Sequence, residues 1–216
     1  MWKLFNKCCF ALALCASQQL LGAHLVGGSL TYECIGGNNY AITLRVYRDC
    51  GSGGAQFANT SAIAVYDLNG DLVQQLTLPK GPTISVPTNS TGNPCLTPPA
   101  GLCTEYADFQ DTVNLPPLLG GYTLTHQVCC RNSSIVNVAN SGTYGNTYTI
   151  QIPSLDTLCN SSPQFQSTAP IVLCVNDPLN VQLDATDPDG DSLFFEFCDI
   201  LEGGGQGGAG CNAIVP

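Results

Sequence analysis

Tyr40-Ala41-Ile42-Thr43-Leu44-Arg45-Val46-Tyr47 sets Tyr40, Ile42, Leu44 and Val46 against Ala41, Thr43, Arg45 and Tyr47. Successive side chains on a strand point to opposite faces, so this period of two predicts a strand with one face buried. Leu30, Tyr32 and Cys34 repeat the pattern upstream, and Gly36-Gly37-Asn38-Asn39 lies between the two runs as a turn. Residues 25–50 therefore read as a hairpin. Downstream, Ile63 to Asp67 and Leu72 to Leu78 flank Asn69-Gly70, the pair favoured in a two-residue type I′ turn. Tyr122, Leu124, His126, Val128 and Cys130 alternate again, and Tyr148, Ile150 and Ile152 give a further strand. No ten-residue stretch after the N-terminal segment carries a helical stripe. The fold class expected is all-β: a disulfide-rich antiparallel β-sandwich.

Between these strands, Pro82 to Pro117 holds seven of the 14 prolines. Proline removes a ladder donor, so 82–117 is expected to be mainly loop. Ser161 to Pro170 is a second polar, proline-bearing break. It divides an N-terminal sandwich domain, 24–161, from a shorter unit, 162–216. In that unit Ile171 to Cys174, Val181 with Leu183, and Leu193, Phe195 and Phe197 suggest three strands of an unfinished sheet. So small a sheet fragment buries little core, and a longer natural product is expected.

Residues 1–23 carry Lys3 and Lys7, then the apolar run Cys8 to Ala16, then small residues ending at Leu21-Gly22-Ala23. This is the pattern of a secretory signal peptide cut after Ala23. The apolar run is about half the roughly 20 residues a membrane span needs. A lipoprotein signal at Cys15 is the other reading, although Leu14 suits it poorly. Of the 13 cysteines, ten follow the signal: Cys34, Cys50, Cys95, Cys103, Cys129, Cys130, Cys159, Cys174, Cys198 and Cys211. An even number in an exported chain reads as a disulfide framework, and without a Cys-x-x-Cys or more than two histidines zinc is disfavoured. Cys95 with Cys103 is the first pairing expected, since both lie in one excursion. Cys129 and Cys130 point to opposite faces if they lie on a strand, which favours two separate partners over a redox-active vicinal disulfide.

After residue 23 the basic residues are Arg45, Arg48, Lys80 and Arg131, against 16 acidic ones, a formal charge of −12. Such a surface repels nucleic acid and anionic membranes and suits cations. Asp187, Asp189 and Asp191 recur at every second position, with Asp184 just upstream. Carboxylates so close repel one another unless a cation gathers them, and Ca²⁺ takes six to eight oxygens. An EF-hand does not fit, because Ser192 and Cys198 stand where its glycine and bidentate glutamate would be. The expected metal ligands are Asp184, Asp187, Asp189 and Asp191; the plainer reading is a solvated turn shaped by Pro188-Asp189-Gly190.

His24-Leu25-Val26-Gly27-Gly28-Ser29-Leu30-Thr31-Tyr32-Glu33-Cys34, Val46-Tyr47-Arg48-Asp49-Cys50, Gly120-Gly121-Tyr122 and Cys129-Cys130-Arg131-Asn132 together resemble the mature N-terminus of large secreted surface proteins of gliding bacteria. The stretch from Cys174 through Asp187-Pro188-Asp189-Gly190-Asp191-Ser192-Leu193 is similar to the entry into a cadherin-like or PKD-like repeat. The resemblance implies an immunoglobulin-like sandwich and the start of a second one. It also implies type IX secretion, attachment at the cell surface, and calcium at the acidic turn. It points to adhesion to an extracellular glycan or protein.

Three functions are expected in turn. The first is a non-enzymatic, calcium-stabilised adhesion module. The second is a carbohydrate-binding sandwich with Tyr47, Tyr106, Tyr144 or Tyr148 as a sugar platform; Trp2, the one tryptophan, lies in the signal segment. The third, an enzyme, has Glu33, Glu105, Asp108 and Asp111 as candidate carboxylates by number only. No nucleophile elbow, metal-ligand cluster or phosphate loop accompanies them, and His126 is the only internal histidine, so no enzyme is expected.

Overall fold

The computed structural model describes residues 25–51, 55–87, 100–154, 159–166 and 184–203. The expected signal segment, Cys95 and the strands expected at Ile171–Cys174 and Val181–Leu183 lie outside the described residues. Among the described residues the regular structure is antiparallel strand, apart from one 3-10 turn at Ser141–Thr143. β1 (Leu25–Gly36) and β2 (Asn39–Asp49) form the expected hairpin. Every second residue of β2 from Tyr40 to Arg48 is buried. Gly36 pairs with Asn39, leaving Gly37 and Asn38 as a two-residue loop with φ of +61° and +62°. Two positive φ values define a type I′ turn, whose twist matches that of its strands.

The second hairpin joins β3 (Thr60–Tyr66) to β4 (Leu72–Ser85), but not through the type I′ turn expected at Asn69-Gly70. Of that pair only Gly70 takes a positive φ, +83°. Asp67 is the cause. Its Oδ1 accepts the Asn69 and Asp71 amide N–H groups, both at 2.9 Å, and its carbonyl accepts Gly70 N–H at 3.1 Å. The connection becomes a five-residue loop, 67–71, built on an Asx turn.

The loop expected over 82–117 is also corrected. β4 continues to Ser85, and β5 (Thr104–Asn114) lies between β2 and β4 in the middle of the sheet. The prolines cluster on either side of residues 103–115, which contain none, so every ladder donor of β5 is intact. Ala107, Phe109 and Val113 of β5 enter the core.

β6 (Tyr122–Val128) and β7 (Gly145–Ile152) extend the β3 side, and β10 (Glu202–Gly203) pairs with the start of β7. The strand order is β1-β2-β5-β4-β3-β6-β7-β10. The first half of β4 pairs with β3 and its second half with β5, with a register shift between Lys80 and Thr83. Two prolines, Pro79 and Pro82, sit at this bend, where a bulged strand leaves one ladder for another. Bending there curls the sheet into two facing layers. On the opposite side Leu25 forms a parallel bridge with Arg131, and Asn132 N–H donates to the Leu25 carbonyl at 3.1 Å. Leu30, Tyr32, Ile42, Leu44, Ile63, Val65, Leu78, Phe109, Leu124 and Ile152 fill the interior.

His126 belongs to that interior. Its Nδ1–H donates to the Ala62 carbonyl at 2.8 Å, its ring stacks on Tyr148, and burial pushes its pKa down. β8 (Gln164–Phe165) and β9 (Ala185–Thr186) form a separate two-stranded ladder. The strand expected at Leu193, Phe195 and Phe197 has no ladder. Alternation alone does not make a strand, and among the described residues no sheet edge meets this one; Phe194 and Phe197 are 84% and 102% exposed.

Gly121 immediately precedes β6 with φ +74°, and a Cβ there would lie 2.1 Å from the Ile152 carbonyl oxygen. Gly121→Ala is expected to cost about 2–4 kcal/mol in urea unfolding, combining left-handed backbone strain with displacement of β7. Gly101→Ala, at φ +85° with nothing within 4 Å of its Cβ, should show only the backbone part, about 1–2 kcal/mol. Equal losses would remove the clash from the account.

Candidate functional site

Two of the motif stretches, Val46 to Cys50 and Cys129 to Asn132, converge on Leu25. Arg48 pairs with Leu25 across β1 and β2, and Arg131 meets it from the other side. Arg48 is 3% exposed; its guanidinium donates to Glu105 and, at 2.6 Å, to the Ala55 carbonyl, and it lies over the Phe57 ring. Asp49 Oδ1 accepts Gly51 N–H at 2.8 Å, and its Oδ2 accepts Asn132 Nδ2–H at 3.4 Å. Val46 to Cys50 and Cys129 to Asn132 are thus tied directly together, although some 80 residues separate Asp49 from Asn132.

Three disulfides are present among the described residues. Cys50 bonds Cys103, which corrects the Cys95–Cys103 pairing; Cys50 N–H donates to the Cys103 carbonyl, so the ladder of β2 with β5 has already brought the two together. Cys129 and Cys130 bond each other across a cis peptide, which corrects the expectation of two separate partners. The strand geometry behind that expectation does not extend to them, because β6 ends at Val128. Cys34 bonds Cys159, and Cys198 is an exposed free thiol.

The Cys34–Cys159 bridge lays the following serines along β1. Ser162 N–H donates to the Tyr32 carbonyl, Tyr32 N–H donates to Ser162 Oγ, both at 2.9 Å, and Cys34 N–H donates to Ser161 Oγ at 3.2 Å. The acidic turn docks on this segment. Ser161 N–H donates to Asp189 Oδ2 at 2.6 Å, Asn160 Nδ2–H reaches Asp191 Oδ2 at 3.5 Å, and Asn160 Oδ1 accepts the Tyr32 hydroxyl at 2.6 Å. Burial, then Tyr40, Asp189 and Asp187, pushes the Tyr32 pKa up to about 12, so its hydroxyl stays a donor at neutral pH.

Within the turn, Asp187 Oδ1 accepts the Asp189 and Asp191 amides at 2.9 and 3.3 Å, and its carbonyl accepts Gly190 N–H at 3.2 Å. This is the same arrangement as Asp67 to Asp71, where the third residue is asparagine. The Asx turn itself therefore explains why Asp187 and the glycine are needed. The structure brings Asp187, Asp189 and Asp191 onto one turn. It places Asp184 apart, at the end of the β8–β9 ladder, where its carbonyl accepts Gln166 N–H. No group of three or more His, Cys, Asp or Glu among the described residues is placed to hold a metal ion. The donor set is all carboxylate oxygen, the chemistry calcium takes. Asp187 Oδ2, Asp189 Oδ1 and Asp191 Oδ1 accept no hydrogen bond from the described residues.

The candidate carboxylates of a hydrolase are separated. Glu105 pairs with Arg48 and Asp108 with Arg45, three positions apart along β5 and on its opposite faces. Of the candidate sugar-binding tyrosines, Tyr47 and Tyr106 pack on each other beneath Arg45 on the outer face, and Tyr148 turns inward with its hydroxyl buried. Tyr144, 38% exposed, lines a pocket of about 350 Å³ with Arg131, Val138, Ala139, Ile200 and Glu202. Sequence reading missed this pocket: the return of residues 200–202 to β7 completes it, and no local pattern announces that return. Comparison with protein-family models, curated proteins and solved structures gives no match to this chain.

Proposed function

We propose that the chain is a non-enzymatic adhesion module of an exported surface protein, stabilised by calcium at the acidic turn. The observation that carries this reading is the position of the turn. Asp189 and Asp191 grip Ser161 and Asn160 where the chain leaves the Cys34–Cys159 bridge, so an ion there would stiffen the connection to the downstream residues. Calcium would be held through the remaining oxygens of Asp187, Asp189 and Asp191, with backbone carbonyls and water completing its shell. In an adhesive array such a junction transmits load, and rigidity at that point is what the array requires.

The test is thermal unfolding of the oxidised protein in excess Ca²⁺ and in chelator. At a hundred times Kd the ion adds about 2.7 kcal/mol. For a domain of this size that raises Tm by roughly 5–10 °C. Asp189→Ala should abolish the rise. An identical Tm with and without calcium would exclude the metal from the turn and leave it the plain Asx turn that Asp67 already forms.

A glycan-binding reading is favoured by one observation, the pocket that Tyr144 lines. An aromatic ring beside hydrogen-bonding groups is the arrangement a sugar uses, with its C–H face on the ring and its hydroxyls on the polar rim.

A further inference from the structure

Arg131 is one of six basic residues in a chain with 16 acidic ones, and it is 9% exposed. A buried guanidinium in so acidic a protein ordinarily finds a carboxylate, as Arg48 finds Glu105. Arg131 finds none among the described residues. Its Nε–H donates to the Gly145 carbonyl at 2.8 Å and one Nη2–H to the Leu201 carbonyl at 3.1 Å. These two bonds fix the plane of the guanidinium and hold together the start of β7 and the segment entering β10. Nη1 has no partner among the described residues. The guanidinium so fixed, with no carboxylate bonded to it among the described residues, lines the same pocket as Tyr144.

The rest of the lining narrows what could neutralise it. Val138, Ala139 and Ile200 are apolar, and Tyr144 contributes an aromatic side chain. Glu202 is the acidic residue of the described lining. A carboxylate there repels a dianion such as phosphate but accepts hydrogen bonds from hydroxyls. The volume of about 350 Å³ is near the lower end of ligand pockets, roughly 300–1,000 Å³. A ligand that satisfies all of these has a single carboxylate, several hydroxyls and an apolar ring face. We propose that the pocket binds a single uronic-acid unit of an otherwise neutral polysaccharide, whose one charge the acidic surface tolerates, with its carboxylate on Arg131, its ring on Tyr144 and a hydroxyl donating to Glu202. The planar donor fork of arginine suits a carboxylate better than the point charge of lysine does. The proposal rests on the glycan-binding reading and supplies its ligand class.

The test compares an oligosaccharide carrying a single galacturonate with the methyl ester of the same compound by calorimetry on the full oxidised chain, beside a panel of neutral oligosaccharides. The ester keeps the shape and removes the charge. The acid is expected to bind at least about tenfold more tightly than the ester, the order contributed by a charged hydrogen bond. Tyr144→Ala should abolish binding of the acid. Because Arg131 also joins two segments, its replacement could unfold the region. Glu202→Gln is the safer variant, and removing its opposing charge should tighten the acid severalfold, by about as much as one nearby charge contributes. Equal binding of acid and ester, sensitive to Tyr144→Ala, would overturn the uronate inference while the glycan reading stood. Binding indifferent to Tyr144→Ala would place the site elsewhere and overturn the inference. Silence towards every oligosaccharide would overturn both.

Discussion

Replacing Cys34 and Cys159 together by serine should lower the unfolding free energy by about 4–5 kcal/mol. The bridge closes a loop of 125 residues, shortened in effect by the Cys50–Cys103 bridge of separation 53 inside it. Chain entropy over roughly 70–125 residues corresponds to about 4–5 kcal/mol at 25 °C. The consequence is also local. Without the bridge, Ser161 and Ser162 are held to β1 only by their hydrogen bonds, and the acidic turn loses the platform on which Asp189 rests. Urea unfolding of the double variant measures the global part, and amide exchange at Tyr32, whose N–H is held by Ser162 Oγ, the local part. Unchanged protection at that amide would show that the serine segment docks without the bridge. The Cys50–Cys103 pair should cost less, about 4 kcal/mol by the same relation, because its loop is shorter.

Glu105→Ala is expected to destabilise the sandwich by about 3–5 kcal/mol, because it leaves Arg48 charged, 3% exposed and without its carboxylate. Arg48 keeps the Ala55 carbonyl and the Phe57 ring, but neither cancels its charge. The diagnostic comparison is Arg48→Met with Glu105→Leu in one protein. Replacing a buried ion pair by apolar side chains of similar volume is often nearly neutral, so the double variant should be more stable than Glu105→Ala alone. If the double variant is the weaker of the two, the pair itself stabilises the fold and does more than neutralise a buried charge. The Arg45–Asp108 pair is half-exposed on the outer face, and its loss should cost no more than about 1 kcal/mol.

Most of the strand framework was legible. The alternation of Tyr40 to Val46 located β2, and the hairpins of 25–50 and 63–78 followed from apolar runs flanking Gly and Asn. Turn type was not legible, because it depends on a side chain outside the dipeptide. Asn69-Gly70 had the composition of a type I′ turn, yet Asp67 captured two amides and enlarged the loop, while the type I′ turn formed at Gly37-Asn38. β5 was hidden by prolines that lie beside it. Of the proposed metal ligands, three share a turn and Asp184 stands apart, since a carboxylate three residues upstream is already on the neighbouring ladder.

From the sequence alone came the all-β class, the buried face of β2, the expectation of bridges and the acidic turn, because each depends on residues near one another in the chain. The Cys50–Cys103 and Cys34–Cys159 pairings, the meeting of Asp49 with Asn132, and the pocket between Arg131 and Ile200 depend on residues tens of positions apart. The β2–β5 ladder brings Cys50 to Cys103, the return of residues 200–202 to β7 closes the pocket, and the curl of the sheet at Pro79–Pro82, which carries β7 round to the first strand, brings Asn132 to Asp49.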